Sequence, residues 1–557
     1  MKAGYAAGLI AAVAVLSVGN GAAAVGVLPL PDVLLSIDTQ SSRTAISRSI
    51  YGVGLTDDNM NKGKPAYQKA TSNRFGGDTN TALNWTQNIS NAGINYRNVN
   101  GPFFFLTRLS EVTRPGDFAR LFIEESQSRN AVSIITVPIG SYVAGDNSND
   151  VSLLQTADAE TFPHWKYNRA RNPTRIADVN SPSIAGNEVY EDEFVRFVEA
   201  RFAATKGDPK RAIFYSLDNE PDLWNDTHPL LHPEKPRYDE VLRLNLEYAA
   251  AIRDEAPAAL IFGPVVSGFD GFLSLRSAPD ASANGEFLDY YLDGMRTAEL
   301  TGGKRLLNVL DLHFYSEATS VDGTPIGLDN PDPTTTNPSE ALIQARVQAP
   351  RSLSEPDYVE NSWTTRNLLN NRPINLIPWV RNKIANHYPD TKLAFTEYSY
   401  GGTTHISGAI AQADALGIFA REGVYAANYY ELVSPGEYVY AAFDAYLNFD
   451  GVGGNVGDTS ISAQTSDKER TAVHASVSND DGSKVYVIAI NKSSTDVAST
   501  IAINHPLILT QGDVYQLTSR AAKLFAAEPV TVSSNTLSYT MPAYSVSTIV
   551  LSGARSP

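Results

Sequence analysis

The sequence predicts an α/β fold, a (β/α)8 TIM barrel with an additional C-terminal β-sandwich domain. Two observations predict it. Eight short apolar runs are separated by stretches with helical spacing, and the chain changes near Thr459 to strands alone. Hydrophobic residues make up 43% and charged residues 19% of the 557, a globular composition that excludes a wholly disordered or collagen-like chain.

Taken in order, the chain begins with Lys2, an apolar run from Ala6 to Val18, and Ala22-Ala23-Ala24. A positive start, a modest apolar core and a small-residue exit read as a signal peptide over 1–24, too short to span a bilayer. The protein is therefore expected to be secreted, extracellular or periplasmic. Residues 25–48 include the strand-like Leu34–Ser47, which is expected to join the sandwich from the other end of the chain. Residues 49–459 form the barrel. Its strands are expected at Ile50–Leu55, Asn73–Phe75, Val132–Val137, Ala212–Leu217, Leu260–Phe262, Val309–Phe314, Leu393–Thr396 and Val424–Tyr430.

Phe194, Val195, Phe197, Val198 and Phe202 lie on one helical face, and Gly207 supplies the stop. A second helix is expected over Tyr238–Glu255 and a third over Ala409–Glu422, ended by Gly423. An open doubly wound sheet is the competing layout, but no G-x-G-x-x-G opens a helix after the first strand. Residues 460–557 form the sandwich, where Asn479-Asp480-Asp481-Gly482 joins Val473–Ser478 to Lys484–Ile490 as a hairpin. Further strands are expected near Val514–Leu517, Val530–Val532, Leu537–Met541 and Ser545–Leu551.

A net charge of −17 argues against nucleic acid or an anionic membrane as partner, since both need basic patches. With no cysteine, disulfides, thiolate metal sites and cysteine nucleophiles are excluded, and chemistry falls to carboxylates, histidines, hydroxyls or lysines. No cofactor is required, and a monomer is expected. Acidic clusters at Asp146–Asp150 and Asp450–Asp458 are candidate holders of a structural calcium, although neither has EF-hand spacing and a solvated loop is the simpler reading. His228 and His232 have metal-binding spacing, but Pro229 and Pro233 break the helix that spacing needs. There is no G-x-S-x-G elbow and no Walker loop.

Active sites of such barrels lie at the carboxyl ends of the strands. Those ends read Arg74-Phe75-Gly76-Gly77-Asp78, Asp218-Asn219-Glu220-Pro221, His313-Phe314-Tyr315 and Thr396-Glu397-Tyr398. Glu220 and Glu397 thus close the fourth and seventh strands and face each other across the mouth, where two carboxylates can divide acid/base and nucleophilic roles. The bland alternative is that each caps a helix or pairs with an arginine. Asn219 is placed to bond a sugar 2-hydroxyl. All five tryptophans, Trp85, Trp165, Trp224, Trp363 and Trp379, lie in the barrel portion; Trp85 and Trp224 follow strand ends closely and are candidate sugar platforms, whereas Trp379 reads as core.

These motifs resemble glycoside hydrolase family 44, the secreted bacterial endoglucanases and xyloglucanases. The resemblance rests on Arg74-Phe75-Gly76-Gly77 with Asn84-Trp85, on Leu217 to Trp224 with Thr227-His228-Pro229, and on Gly263-Pro264-Val265. It continues through Val309 to Tyr315, Gln348 to Arg351 with Glu360 to Trp363, and Thr396-Glu397-Tyr398 with Gly408 to Gly417. It implies a barrel with a sandwich built from both chain ends, and hydrolysis of β-glucan (cellulose, xyloglucan) with retention, Glu220 as acid/base and Glu397 as nucleophile.

Retention needs carboxyls about 5–5.5 Å apart, against roughly 6.5–9.5 Å for inversion. The charge on Glu397 is expected to raise the pKa of Glu220. His313, Tyr315 and Tyr398 are candidates for orienting Glu397 or the sugar, and Arg74, Trp363 and Tyr430 join the substrate-binding candidates. Tyr429-Tyr430 stands where the family pattern leads one to expect an aromatic pair containing tryptophan. Two other readings remain: another retaining endo-β-glycanase, such as a mannanase or xylanase, and a non-catalytic carbohydrate-binding protein, whose signature would be loss of one glutamate.

Overall fold

A computed structural model describes residues 33–553 apart from 55–68, 103–108, 148–163, 175, 177, 179, 181, 183–185, 328–336 and 431–437. The expected signal peptide and part of the first acidic cluster lie outside the described residues.

Eight parallel strands close into one barrel: Gly52–Gly54, Ser72–Phe75, Val132–Val137, Ile213–Leu217, Ile261–Ser267, Val309–His313, Lys392–Tyr398 and Ala426–Tyr429. Ala426–Tyr429 pairs with Gly52–Gly54 to complete the circle. Every expected run forms a strand because its β-branched and aromatic residues are buried on both faces, outward against helices and inward against one another. On the outside, Phe75 packs on Phe122 of helix Asp117–Ser128 with ring centroids 5.1 Å apart, and Phe395 stacks on Phe419 of helix Ile406–Arg421 at 5.8 Å. On the inside, Val132, Ile134, Phe214, Phe262, Val309, Ala394 and Ala426 form a separate apolar plug near the strands' amino ends. That plug closes the bottom of the barrel, so only its carboxyl end is left for polar chemistry.

The helix Tyr238–Glu255 has the expected bounds. The helix carrying Phe194 runs Glu191–Arg201 and stops short of Gly207, because Ala203–Thr205 tightens into a 3-10 turn first. Among the described residues no helix is long and apolar enough to cross a membrane.

Beyond the barrel, Thr459–Thr465, Thr471–Val477, Lys484–Asn491, Val497–Asn504, Leu509–Thr518, Ala521–Thr531, Thr536–Met541 and Ser545–Gly553 form the strand-rich domain. The first and fourth of these were not singled out in the sequence. Strand Val33–Asp38 lies between two of them, antiparallel to Thr459–Thr465 and parallel to Val497–Asn504, with alternate residues buried. A buried charged cluster joins the two regions: Asp414 on helix Ile406–Arg421 meets Lys492 Nζ at 2.6 Å and His474 Nε2 at 2.8 Å. Gly417 makes room for that histidine, since a Cβ there would sit 2.1 Å from its ring.

Candidate active site

The mouth is built by backbone irregularities at the carboxyl ends of the strands. In a regular strand successive side chains alternate, so Thr396 and Glu397 could not both point inward. Here the register shifts against both neighbouring strands at this point, and both residues turn into the barrel. Asp218 and Glu220 achieve the same end with left-handed backbones, φ 66° and 43°, and the Glu220 N–H is held by the Val265 carbonyl at 3.0 Å. Such conformations persist only where surrounding structure enforces them, and both flank Asn219 at the site.

Glu220 and Glu397 face each other with carboxylate oxygens within 4.8 Å of one another, and His313 Nδ1 within the same distance of both. His313 Nδ1 lies 2.8 Å from Glu220 Oε1 and 3.5 Å from Glu397 Oε2. Glu397 Oε1 accepts from Arg74 Nη1, and its Oε2 accepts from the Tyr315 hydroxyl at 2.8 Å. The other Arg74 nitrogen, Nη2, donates to Asn219 Oδ1 at 2.8 Å, which also receives the Gly77 N–H at 3.2 Å. The Asn219 amide donates onward to Asp78 Oδ1 at 3.3 Å. Tyr430 lies across this ring: a Cβ on Gly54 would meet it at 2.6 Å, and one on Gly77 would lie 3.1 Å from its hydroxyl. Two glycines therefore let the tyrosine reach the mouth.

The electrostatics separate the two glutamates. Glu220 is pushed up to about 8, first by burial and then by the Asp78 charge, with Arg74 and Arg276 pulling the other way. The rise was expected, but its cause was not. Burial also keeps His313 neutral, pushing it down to about 3 despite the pull of Glu397. A carboxylic acid stays protonated at neutral pH beside a carboxylate paired with arginine.

Glu220, His313 and Glu397 are also close enough to grip a cation. The Arg74 guanidinium already places positive charge on Glu397, and the three groups suit proton transfer better than a metal. In the second acidic cluster, Asp450 Oδ1 receives the N–H groups of Val452 and Gly454, and Asp458 Oδ1 receives Thr459 and Asn479, so these side chains shape turns.

Glu220, Glu397, Asn219, Arg74, His313, Tyr315 and Tyr430 are thus brought together. Three candidates are corrected. Trp85 is buried between Phe194 and Phe197 with its Nε1 donating to the Tyr190 carbonyl, so it is core. Trp224 is 2% exposed and packs beside His232. Tyr398 points outward, where its ring packs on Phe419 and its hydroxyl accepts from Gln412. The register shift that turns Glu397 inward leaves Tyr398 on the helix side. Trp363 is 46% exposed. Trp379 packs on Phe269 with Lys383 over its ring. His228 and His232 hold separate partners, Asn91 and Glu240. Asp78, Asp311 and Thr396 were missed. Asp311 carried a readable signal, since it lies two positions before His313 and alternation puts both on one face; Thr396, one position before Glu397, carried none.

A closed (β/α)8 barrel with two glutamates at the mouth, one protonated and one paired with arginine, defines a glycoside hydrolase of the two-carboxylate class. Residues 78–318 match the model of glycoside hydrolase family 44. Endoglucanase A of Paenibacillus lautus is 37% identical over 535 residues, 93% of this chain and 72% of that protein. The beta-mannanase/endoglucanase A of Caldicellulosiruptor saccharolyticus is 36% identical over 477 residues, 82% of this chain but 34% of that larger protein. Among solved structures, a family 44 xyloglucanase of Paenibacillus polymyxa with xyloglucan superposes with a TM-score of 0.85 at 32% identity, covering 94% of this chain and 100% of that one. The chain belongs to glycoside hydrolase family 44.

Proposed function

We propose that the protein is an exported, retaining endo-β-1,4-glucanase that hydrolyses cellulose-type glucans and xyloglucan by double displacement. The observation that carries this is the pair of carboxylates within 4.8 Å, separated in protonation by their surroundings. Glu220 gives its proton to the glycosidic oxygen as the bond to the anomeric carbon breaks. Glu397 Oε2 or Oε1 bonds that carbon from the opposite face, while Arg74 and Tyr315 hold the carboxylate for attack. Glu220, now ionised, takes a proton from water; the water oxygen displaces Glu397, and two inversions give net retention. Asn219, fixed by Arg74, Gly77 and Asp78, offers its amide at the mouth for the 2-hydroxyl.

In Glu220→Ala, azide should restore turnover of an activated aryl β-glycoside and give the β-azide; an α-azide product would overturn retention. Xyloglucan and carboxymethylcellulose should release reducing ends. A mannan-cleaving activity is the second reading, supported by the name of the Caldicellulosiruptor relative, and the same assay on mannan decides it. N-terminal sequencing of protein recovered outside the cell should begin after residue 24.

A further inference from the structure

Beneath the two glutamates the barrel interior carries a line of polar groups that the reaction does not use. Asp311 lies two residues before His313 on strand Val309–His313, so both face inward, and both are fully buried. The Thr396 hydroxyl lies 2.8 Å from Asp311 Oδ2 and 3.3 Å from His313 Nε2, while the Thr396 N–H reaches Asp311 Oδ1 at 3.2 Å. His313 Nδ1 then meets Glu220 Oε1 at 2.8 Å. A continuous file runs Asp311, Thr396, His313, Glu220.

A hydroxyl has one hydrogen to give, so the file has only two directions. If Asp311 is ionised it takes the Thr396 hydrogen. The threonine oxygen must then accept from His313 Nε2–H, and Nδ1 is left bare. If Asp311 is protonated it donates to Thr396, the threonine hydrogen points at Nε2, and the imidazole proton sits on Nδ1. Burial favours the second arrangement. Asp311 is fully buried and, among the described residues, no cation bonds to it; the Arg74 charge and the two bonds from Thr396 favour the ionised form, Glu397 opposes it weakly, and desolvation outweighs them. Burial pushes the carboxyl up to about 7.

We infer that Asp311 is a positioning residue that carries a proton and, through Thr396, holds His313 as its neutral Nδ1–H tautomer, so that the imidazole donates to Glu220 Oε1 instead of accepting from it. The opposite tautomer would draw the acid proton of Glu220 into the protein. This one leaves that proton on Oε2 for the glycosidic oxygen, and the same N–H is within 3.5 Å of Glu397 when charge shifts between the two. The consequence for turnover rests on Glu220 being the acid/base; the tautomer does not.

The test is long-range proton–nitrogen correlation NMR on the full chain labelled with [15N]histidine, with His313 assigned by its loss in His313→Gln. At about pH 5.5 the spectrum should show Nδ1 protonated and Nε2 bare. Asp311→Asn offers an amide donor in place of the acid and should keep this tautomer, with kcat within about threefold. Thr396→Val should lose the tautomer and about tenfold or more in kcat with little change in KM, and Thr396→Ser should restore both. Nε2–H in the wild-type spectrum overturns the inference. So does an Asp311→Asn variant of unchanged melting temperature whose tautomer flips or whose kcat falls about a hundredfold. Failure of azide rescue in Glu220→Ala would instead count against the acid/base assignment and leave the spectrum untouched.

Discussion

The barrel mouth and the centre of the strand-rich domain are both built of strands but obey different rules. In the latter, Lys484–Asn491 and Ser545–Gly553 pair without interruption from Lys484 opposite Ser552 to Asn491 opposite Ser545, and Val485, Val487, Ala489, Ile549 and Leu551 fill an apolar core. At the mouth, three pairs of neighbouring barrel strands shift register, Asp218, Glu220 and Val265 take left-handed backbones, and Asp311, His313, Thr396 and Arg74 are buried. Regular alternation suits a surface that only has to pack. A site must aim adjacent side chains at one point and hold charges away from water, and both demands work against stability.

The largest expected break in this contrast is Glu397→Gln. It should lower kcat by roughly 10⁵-fold and also lower the melting temperature, because it leaves the buried Arg74 guanidinium without its ionised partner. Steady-state kinetics and calorimetry on the same preparation check both halves.

Lys492→Met attacks a place where the strand-rich domain carries buried charge. It should cost about 3–5 kcal/mol in urea unfolding, since it leaves the buried Asp414 charge with His474 as its partner and no cation beside it. Burial alone would raise the Asp414 carboxyl, but Lys492 and His474 hold it well below the usual carboxylate range. Its contribution is therefore present above the unfolded value of 3.8 and is lost only as pH falls through the folded one. Without the lysine burial weighs more heavily against the charged form, and the variant should lose less at about pH 4 than at about pH 7.

Ile549→Ala should cost about 3 kcal/mol with unchanged kcat per folded molecule. The smallest effect is on pH dependence. Activity should fall as pH rises through about 8, where Glu220 loses the proton it must give. Asp78→Asn removes a charge that raises Glu220 and should move this limb lower by up to about one unit; an unmoved limb would separate Asp78 from the acid.

The eight strands, the hairpin at Asn479–Gly482 and the two glutamates were legible because each is local: apolar runs, turn residues and a carboxylate at a run's end signal themselves in sequence. Thr459–Thr465 and Val497–Asn504 escaped notice because their small and polar residues carry little apolar contrast. The tryptophans misled for a different reason. Trp85 and Trp224 stand near strand ends in the chain, but whether a large ring faces a cleft or a helix depends on what packs against it, and here Phe194, Phe197 and His232 do.

The sequence by itself determined the barrel, the strand-only tail and which carboxylates face one another, since these follow from periodicity and from the order of strands around a closed sheet. Only the tertiary structure decided the rest. Glu397 turns inward and Tyr398 outward because the register shifts between two adjacent residues, which no periodic pattern encodes. Glu220 holds its proton because burial and Asp78 outweigh the pull of Arg74 and Arg276, and those neighbours meet only once strands far apart in the chain have closed the ring.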